Sequence, residues 1–402
     1  MVSMDRSEPI PSRVERLADA RRRFGDLPER LVPFLSRTDP LADAVVADFA
    51  ELPPGAGMRA LERALDAGLA CGSDAPESLH ALIASATRVP VWVDWDRVDA
   101  AGPLLHRAGA LGVITLSAKS LVLGYCSPAG NKPLVLAGRL EGDVGRRLAE
   151  TGRYIAAVCE PGGLRPGGEG LAISLRVRLM HAQVRRLLLA SGRWDARRWG
   201  APLNQHDMVG TQLMFALVFL DGVRELGLRV LRREAEDWMH LWRVAGWLMG
   251  VDEELLPATE AEGRRIADTL MATQGAPDDD SRALVRALIE SPQQLAADGA
   301  AAAWNRLQVK LGWGFARAMV PEELADALQI PRDATRFVAP LTRAVVRPVE
   351  VLRRAVPGGD ALVRRVGRAY WNTVLEERLR GSGARFALPV RLASRRPVAA
   401  PR

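Results

Sequence analysis

The sequence lacks the short motifs that mark several common enzyme classes. Its 402 residues contain no GxGxxG after a predicted strand, no GxxxxGK[ST], no HExxH and no GxSxG. These absences remove the usual anchors for nucleotide binding, zinc-dependent proteolysis and α/β-hydrolase chemistry.

Cysteine and lysine are scarce. Cys71, Cys126 and Cys159 are far apart and form no CxxC pair, which indicates reduced thiols in a cytosolic core. Lysine occurs only three times, so arginine carries almost all of the positive charge. The formal net charge is +7, but the basic residues are dispersed among 48 acidic ones. Dispersed charge predicts no nucleic-acid partner.

Export signals and long apolar runs are missing as well. The first residues carry charges and prolines where a secretory signal needs an apolar stretch, so we expect a cytoplasmic protein. The most apolar stretches, 111–126 and 213–220, are interrupted by Lys119 and stopped by Asp221. We therefore predict no transmembrane segment and interpret both stretches as buried core helices.

Helical periodicity dominates what remains. The run DPLADAVVADFAEL begins with Asp39 as a candidate cap and proline at the first-turn position, followed by apolar residues at helical spacing. Sustained alternation typical of strands is absent, apart from a short ambiguous run at 89–95. The sequence predicts an all-α fold with a polar N-terminal arm at 1–30, one large helical domain at 31–380 and a flexible basic tail at 381–402. It assigns no oligomeric state.

Among five histidines, His181 stands in the most apolar surroundings. In LAISLRVRLMHAQVRRLLLA, it shares one helical stripe with Val177, Val184 and Leu188. An imidazole there either makes a hydrogen bond in the core or ligates a metal whose porphyrin fills the apolar space. If it ligates haem, the neighbouring guanidinium groups, Arg178 and Arg185 in particular, would suit the two propionates.

Two further histidines have simpler interpretations. His240 lies to one side of its helix's apolar stripe, which favours a structural or surface role. Asn204 is a candidate N-cap with Asp207 three residues later, which places His206 in an exposed first turn. His80 and His106 show no chemical companions in the sequence.

A polar pair lies upstream in DVGRRLAETGRYIAAV. If Asp143 caps this helix, Arg147 and Thr151 share a face with Ile155 and Val158. A buried arginine needs an anionic or multiply accepting partner, which is either an internal carboxylate or a ligand. The following EPGGLRPGGEG, at 160–170, is interpreted as a flexible turn between helices.

Several blocks in a fixed order resemble one family. They are RLAET at 147–151, PGG at 161–163, RVRLMHAQVR at 176–185, WDARRWGAPLNQHDMVGT at 194–211 and HLWRVAGWLMGVDEELLP at 240–257. Together they resemble the family of MpaB and the latex-clearing rubber oxygenases, also known as domain of unknown function 2236. The resemblance covers roughly residues 38–350.

The resemblance implies an all-α fold with a globin-like helical core, one non-covalent haem b and O2 as co-substrate. It implies that His181 is the proximal iron ligand and that Arg147 and Thr151 lie on the distal side. Rubber-cleaving members carry a lysine immediately before that threonine, whereas this chain has Glu150. Glu150 is therefore a candidate proton acceptor, although an outward-facing position is equally compatible with the sequence.

These residues predict a haem-dependent oxygenase that acts on an apolar small or medium-sized molecule, by C=C cleavage or hydroxylation. The alternative is a haem-binding sensor or carrier with little turnover. Rubber is a weak substrate candidate because no export signal is visible.

Overall fold

A computed structural model describes residues 9–137, 144–294, 298–379, 386, 388–389 and 391–392. Every element assigned in this part of the chain is helical, which confirms the all-α prediction. The ambiguous run at 89–95 forms turns that lead into a helix beginning at Trp95.

We number the α-helices of the described residues in chain order. They are α1 Leu17–Phe24, α2 Leu27–Leu31, α3 Pro40–Glu51, α4 Ala56–Asp66, α5 Glu77–Thr87, α6 Trp95–Ala101, α7 Pro103–Thr115, α8 Leu121–Gly124, α9 Pro128–Leu136, α10 Val144–Val158, α11 Glu169–Ala190, α12 Ala196–Trp199, α13 Gln205–Glu225, α14 Arg232–Leu248, α15 Glu260–Ala272, α16 Asp279–Ile289, α17 Gly299–Met319, α18 Glu322–Ala327, α19 Val338–Ala355 and α20 Gly359–Leu379. A π-helical segment, Leu116–Ser120, joins α7 to α8, and short 3-10 helices lie at Val32–Leu35, Glu253–Leu255, Ser291–Gln294 and Ala334–Phe337.

Two of the predicted helix caps are present. The Asp39 carboxylate accepts a hydrogen bond from the Ala42 amide at 3.3 Å and starts α3. The Asn204 side chain accepts from the Asp207 amide at 2.9 Å and starts α13. Each side chain satisfies an amide that has no partner inside its own helix. The third predicted cap, Asp143, lies outside the described residues.

Helices α13 and α14 form the centre of the core. The Phe219 and Trp238 rings stack at 4.7 Å between centroids, and Phe215 and Trp242 stack at 5.2 Å. The buried Trp238 indole donates to the Ala216 carbonyl at 3.0 Å, so its polar atom is satisfied. This aromatic seam fixes α14 against α13 and supports one wall of the cavity described below.

The glycine-rich segment between α10 and α11 is a tight turn rather than the flexible one expected from its composition. A Cβ atom on Gly163 would lie 2.1 Å from the Ala157 carbonyl oxygen, and one on Gly168 would lie 2.4 Å from the Gly162 carbonyl oxygen. Gly162 has a positive φ of 72°, and its amide donates to the Asp99 carboxylate at 2.8 Å. The turn therefore sets how α10 faces α11.

One helical run among the described residues, Trp95–Gly124, has the length and composition of a membrane span. Of its most apolar window, 56% is buried inside the protein, as it is in a core helix. Lys119, in the π-helical segment, is buried and pairs with Glu225 of α13.

The described parts of the two predicted terminal segments contact the body of the protein. Within the arm predicted at 1–30, the Arg13 side chain is only 6% exposed and binds Asp207. Within the predicted tail, Phe386 is buried, and the Pro389 carbonyl accepts a hydrogen bond from the Gln183 side chain at 3.0 Å. The described parts of both segments thus pack against the helices, while the domain boundaries stay a prediction.

Candidate functional site

A single cavity brings together the principal residues singled out in the sequence. It has a volume of about 370 Å³, which lies in the usual range for small-molecule and cofactor sites. Its walls come mainly from α13, with further residues from α8 to α11, α14 and α15, and most of the lining is apolar. Val177, Leu213, Phe215 and Trp242 are typical of the lining.

His181 projects into this cavity from α11. It is half-buried, and Val177, one turn earlier on the same stripe, lines the cavity beside it. The predicted stripe therefore faces a cavity along this turn rather than solid core. A histidine on an apolar cavity wall could hold the iron of a haem.

Arg147, Glu150 and Thr151 line the same cavity from α10. The Arg147 guanidinium donates to the hydroxyl of Tyr125 at 3.2 Å. Glu150 forms an ion pair with Arg146 at 3.2 Å and still contributes to the lining, so it does not simply point outward. Among the described residues that line the cavity, Arg147 is the only arginine or lysine.

The Thr151 hydroxyl already donates its proton within α10. It donates to the Arg147 carbonyl at 3.0 Å, one turn earlier in α10. Since a hydroxyl carries a single proton, Thr151 presents lone pairs to the cavity and acts there as an acceptor. Arg147 and Thr151 therefore offer complementary donor and acceptor groups from one helix face.

Tyr125 is a lining residue that our sequence analysis missed. Burial raises the pKa of its hydroxyl, so the group stays protonated despite the nearby charge of Arg147. The signal available in the sequence was weak, because Tyr125 follows the end of an apolar helix and has no polar neighbour at helical spacing. Asn131, also on the wall, donates to the Tyr125 carbonyl at 2.8 Å and helps to fix this segment.

His206 is buried on the cavity wall, which corrects the exposed position predicted from its place in the first turn of α13. Its Nδ1 lies 3.4 Å from the Asp207 carboxylate. The reason is the N-terminal arm, because Arg13 binds both Asp207 oxygens at 2.7 Å and covers this turn. Burial lowers the pKa of His206, so the imidazole is neutral.

The Asp207 carboxylate is held ionised inside the protein. Burial opposes its ionisation, but the charge of Arg13 and the hydrogen bonds from His206 and Arg13 outweigh that effect and hold its pKa well below the usual range. Arg13 also donates to Ser127 at 3.2 Å. We call Arg13, Asp207 and Ser127 the arm clasp.

Arg178 and Arg185 do not line the cavity, contrary to the role in propionate binding expected for them. Arg178 makes a bidentate pair with Asp39, at 2.6 and 2.9 Å, and Arg185 lies 3.2 Å from Asp43. Both acids belong to the start of α3, so the two arginines attach α3 to α11. Both arginines lie within about one turn of His181 on α11, but their guanidinium groups reach sideways to the acids of α3 instead of into the cavity.

The remaining histidines lie away from the cavity lining. His240 is buried, and its Nε2 accepts a hydrogen bond from the Asp94 amide at 2.9 Å, which confirms a structural role and excludes a surface one. His106 has a companion that the sequence did not indicate, because its Nε2 lies 3.3 Å from Glu160. His80 is exposed.

Phe386 closes part of the cavity from the C-terminal segment. Its ring is 7% exposed and lines the same cavity as His181. Two residues later in the chain, Leu388 packs against the main hydrophobic core. The hydrogen bond from the Gln183 side chain to the Pro389 carbonyl fixes this segment to α11. The compositional bias of the tail predicted flexibility and gave no indication of this wall.

Comparison with known proteins identifies the family. Residues 107–351 match the family described as the ER-bound oxygenase mpaB/B'/rubber oxygenase catalytic domain. The chain is 26% identical over 247 residues to a rubber oxygenase of Streptomyces sp. (strain K30), a match that covers 58% of this chain and 58% of that protein. The chain thus spans less than two thirds of this relative's length.

A solved structure of the latex clearing protein LCP in the closed state has the same fold, with a TM-score of 0.65. At 22% sequence identity the superposition covers 83% of this chain and 88% of that one. The family model covers more than half of the chain, which confirms the resemblance drawn from the sequence blocks. The protein therefore belongs to the MpaB and rubber oxygenase catalytic-domain family.

Proposed function

We propose that this protein is a haem b-dependent oxygenase that uses O2 to oxidise an apolar small or medium-sized molecule. The observation that carries the proposal is one apolar cavity lined by His181 from α11 and by Arg147, Glu150 and Thr151 from α10. Membership of a family that includes oxygenases supports the same assignment.

The residues of the cavity fit haem in two respects and differ from our expectation in a third. His181 offers an imidazole that would hold the haem iron, and a single protein ligand can suffice because the porphyrin itself binds the iron. The apolar walls suit a macrocycle and an apolar substrate. Arg178 and Arg185 are committed to Asp39 and Asp43, so Arg147 is the cation best placed for a propionate or a polar reaction partner.

When bound, haem would supply the one-electron and O2 chemistry that the protein side chains lack. The side chains supply position and polarity. The Arg147 guanidinium, which also donates to the Tyr125 hydroxyl, can donate to a ligand in the cavity. The Thr151 hydroxyl, whose proton is used on the Arg147 carbonyl, can accept from a ligand. Glu150 is the candidate proton acceptor on the α10 wall of the cavity.

Reconstitution with haem b tests the proposal directly. We expect one haem per chain with a Soret band, loss of stoichiometric binding in His181→Ala and wild-type binding in His80→Ala, which alters an exposed histidine. His206 is the second imidazole on the cavity wall, so His206→Ala tests which of the two histidines binds the iron. We expect this variant to retain haem. Normal haem binding by His181→Ala would refute the assignment of the ligand.

Turnover is tested separately on the reconstituted protein. We expect O2 consumption that depends on an added apolar alkene or aromatic compound and yields an oxidised product. A haem protein that binds O2 stably and forms no product with any such compound would instead support a sensor or carrier.

A further inference from the structure

The arm clasp forms a polar region in the largely apolar lining of the cavity. Two members of the clasp, Asp207 and Ser127, line the cavity together with His206, Thr211 and Gln274. The hydrogen bonds inside this region determine which of its polar atoms a ligand could still use.

Several of these polar atoms already bind within the protein. The two Asp207 oxygens accept from Arg13 at 2.7 Å each. The Ser127 hydroxyl accepts from Arg13 at 3.2 Å and donates to the Gln274 side chain at 2.9 Å. The Thr211 hydroxyl donates to the Asp207 carbonyl at 3.0 Å. These bonds hold the side chains in place and use the protons of both hydroxyls.

His206 keeps one ring nitrogen for a ligand. The residue is only 5% exposed, and its Nδ1 lies 3.4 Å from the Asp207 carboxylate. Its Nε2 makes no hydrogen bond to any residue that the structure describes. Nε2 borders open space, and that space is the cavity, because the residue is otherwise buried and lines it. A buried polar atom without a partner is where a ligand gains most from a hydrogen bond.

The Asp207 carboxylate determines which form of the His206 ring faces the cavity. The carboxylate is ionised and can only accept hydrogen bonds, so the Nδ1 beside it carries the imidazole proton. Burial lowers the pKa of His206 and keeps the ring neutral, which leaves Nε2 without a proton. The cavity therefore presents a neutral acceptor at this point, and a matching ligand must bring a donor.

A hydroxyl group on an apolar molecule is the donor that this region suits best. An ionised carboxylate has no proton to donate. An ammonium group would be costly to desolvate among the apolar walls, because Asp207 is already paired with Arg13. A hydroxyl is neutral and donates one proton, and the rest of an apolar molecule would occupy the apolar part of the cavity.

We propose that the substrate is an apolar alcohol whose hydroxyl donates a hydrogen bond to Nε2 of His206. This inference rests on the proposed function and names its substrate class. His206 is a binding residue in it, and Asp207 and Arg13 position the ring. The hydroxyl stays intact, so the contact selects and orients the molecule.

Nonanol and methyl octyl ether test the proposal, because they are isomers with the same apolar character and the alcohol alone can donate a hydrogen bond. Calorimetric titration of the reconstituted protein should show that nonanol binds more tightly, on the order of threefold to tenfold. His206→Leu should lose this preference. His206→Gln should keep part of it, because the glutamine oxygen can accept in place of Nε2. His80→Ala, which alters an exposed histidine, is the matched control and should keep all of it.

Haem content, measured by the Soret band on the same samples, separates this inference from the proposed function. Protein that takes up no haem and still prefers nonanol would refute the proposed function and support the hydroxyl site. Haem-loaded protein that binds the two isomers equally, or binds no nonanol, would overturn the hydroxyl site alone. A low-spin haem spectrum that His206→Leu converts to high-spin would assign Nε2 to the iron and overturn it as well.

Discussion

The role of a buried arginine depends on which carboxylate it binds, as Arg178 shows. The side chains of Arg178 and Asp39 are 8% and 9% exposed and bind through two hydrogen bonds. Asp39 also caps α3, so a single carboxylate links the start of one helix to the middle of another. The pair contributes to the architecture around His181 without facing the cavity.

We predict that Arg178→Met lowers the free energy of unfolding by about 3–5 kcal/mol, because it leaves the Asp39 charge buried without its partner. Asp39→Asn keeps a capping side chain and removes that charge, so the double variant should be more stable than Arg178→Met alone. Chemical denaturation measures both. Loss of haem from Arg178→Met at unchanged stability would restore its assignment to a propionate.

For Arg147, we predict an effect on reaction rather than on cofactor retention. Arg147→Ala should lower turnover on the order of 10- to 1000-fold, equivalent to about 1.4–4 kcal/mol, with haem content close to that of the wild type. Thr151→Val should cause a smaller loss, because the hydroxyl proton is already used inside α10.

Arg146→Ala is the matched control for Arg147→Ala. Arg146 is the preceding residue, pairs with Glu150 and does not belong to the cavity lining. Oxygen consumption, haem content and melting temperature should be measured on the same samples. Unchanged turnover with lowered stability in Arg147→Ala would show that this arginine is structural.

Among the elements, the turn between α10 and α11 determines how the two walls of the cavity face each other. We predict that Gly163→Ala destabilises the protein by about 1–3 kcal/mol, because the added methyl group would overlap the Ala157 carbonyl and force the helices apart. Gly162→Asn should be tolerated better, since nothing lies within 4 Å of its Cβ position and asparagine accepts positive φ. Thermal melts with and without haem separate the two variants. Equal stability of both would contradict the tight turn.

The sequence predicted the elements better than the contacts between them. The caps at Asp39 and Asn204 and the shared face of Arg147 and Thr151 depend on local spacing, which the sequence records directly. The pairing of Arg178 with Asp39 joins residues 139 positions apart, and no local pattern encodes which acid approaches a given arginine. His206 was misassigned for the same reason.

The cavity illustrates the same limit at the level of the fold. Periodicity identified the apolar stripe around His181, but a stripe fits solid core and a cavity wall equally well. Only the packing of α13 and α14 and the position of Phe386 distinguish the two. Charge and composition at the chain ends predicted loose segments because they carry no information about distant partners.

For the whole molecule, we predict that stability falls as the pH is lowered from about 6.5 toward 4. Burial lowers the pKa of His106 and His206, and it lowers that of His240 to about 4. The unfolded chain therefore accepts protons below the ordinary imidazole value of 6.5 while the folded chain does not, which favours unfolding. Asp207, whose pKa is lowered, adds a further loss only below its ordinary value of 3.8.

Melting temperatures measured between about pH 7.5 and 4.5 should show a decrease of several °C. His240→Gln is the informative variant, because the glutamine oxygen can accept from the Asp94 amide but does not titrate. Its melting temperature should depend less on pH across this range. A slope identical to that of the wild type would show that His240 does not contribute.

The arm clasp and Phe386 together have a consequence for the order in which the cavity is completed during synthesis. Arg13 is made 194 residues before Asp207, a delay of about 10–40 s at usual translation rates. Phe386 leaves the ribosome after every other described residue of the cavity lining. The part of the wall that it forms is therefore absent while α10 to α15 are being made, so the haem that we propose would reach His181 on the nascent chain through the part of the cavity that Phe386 later covers.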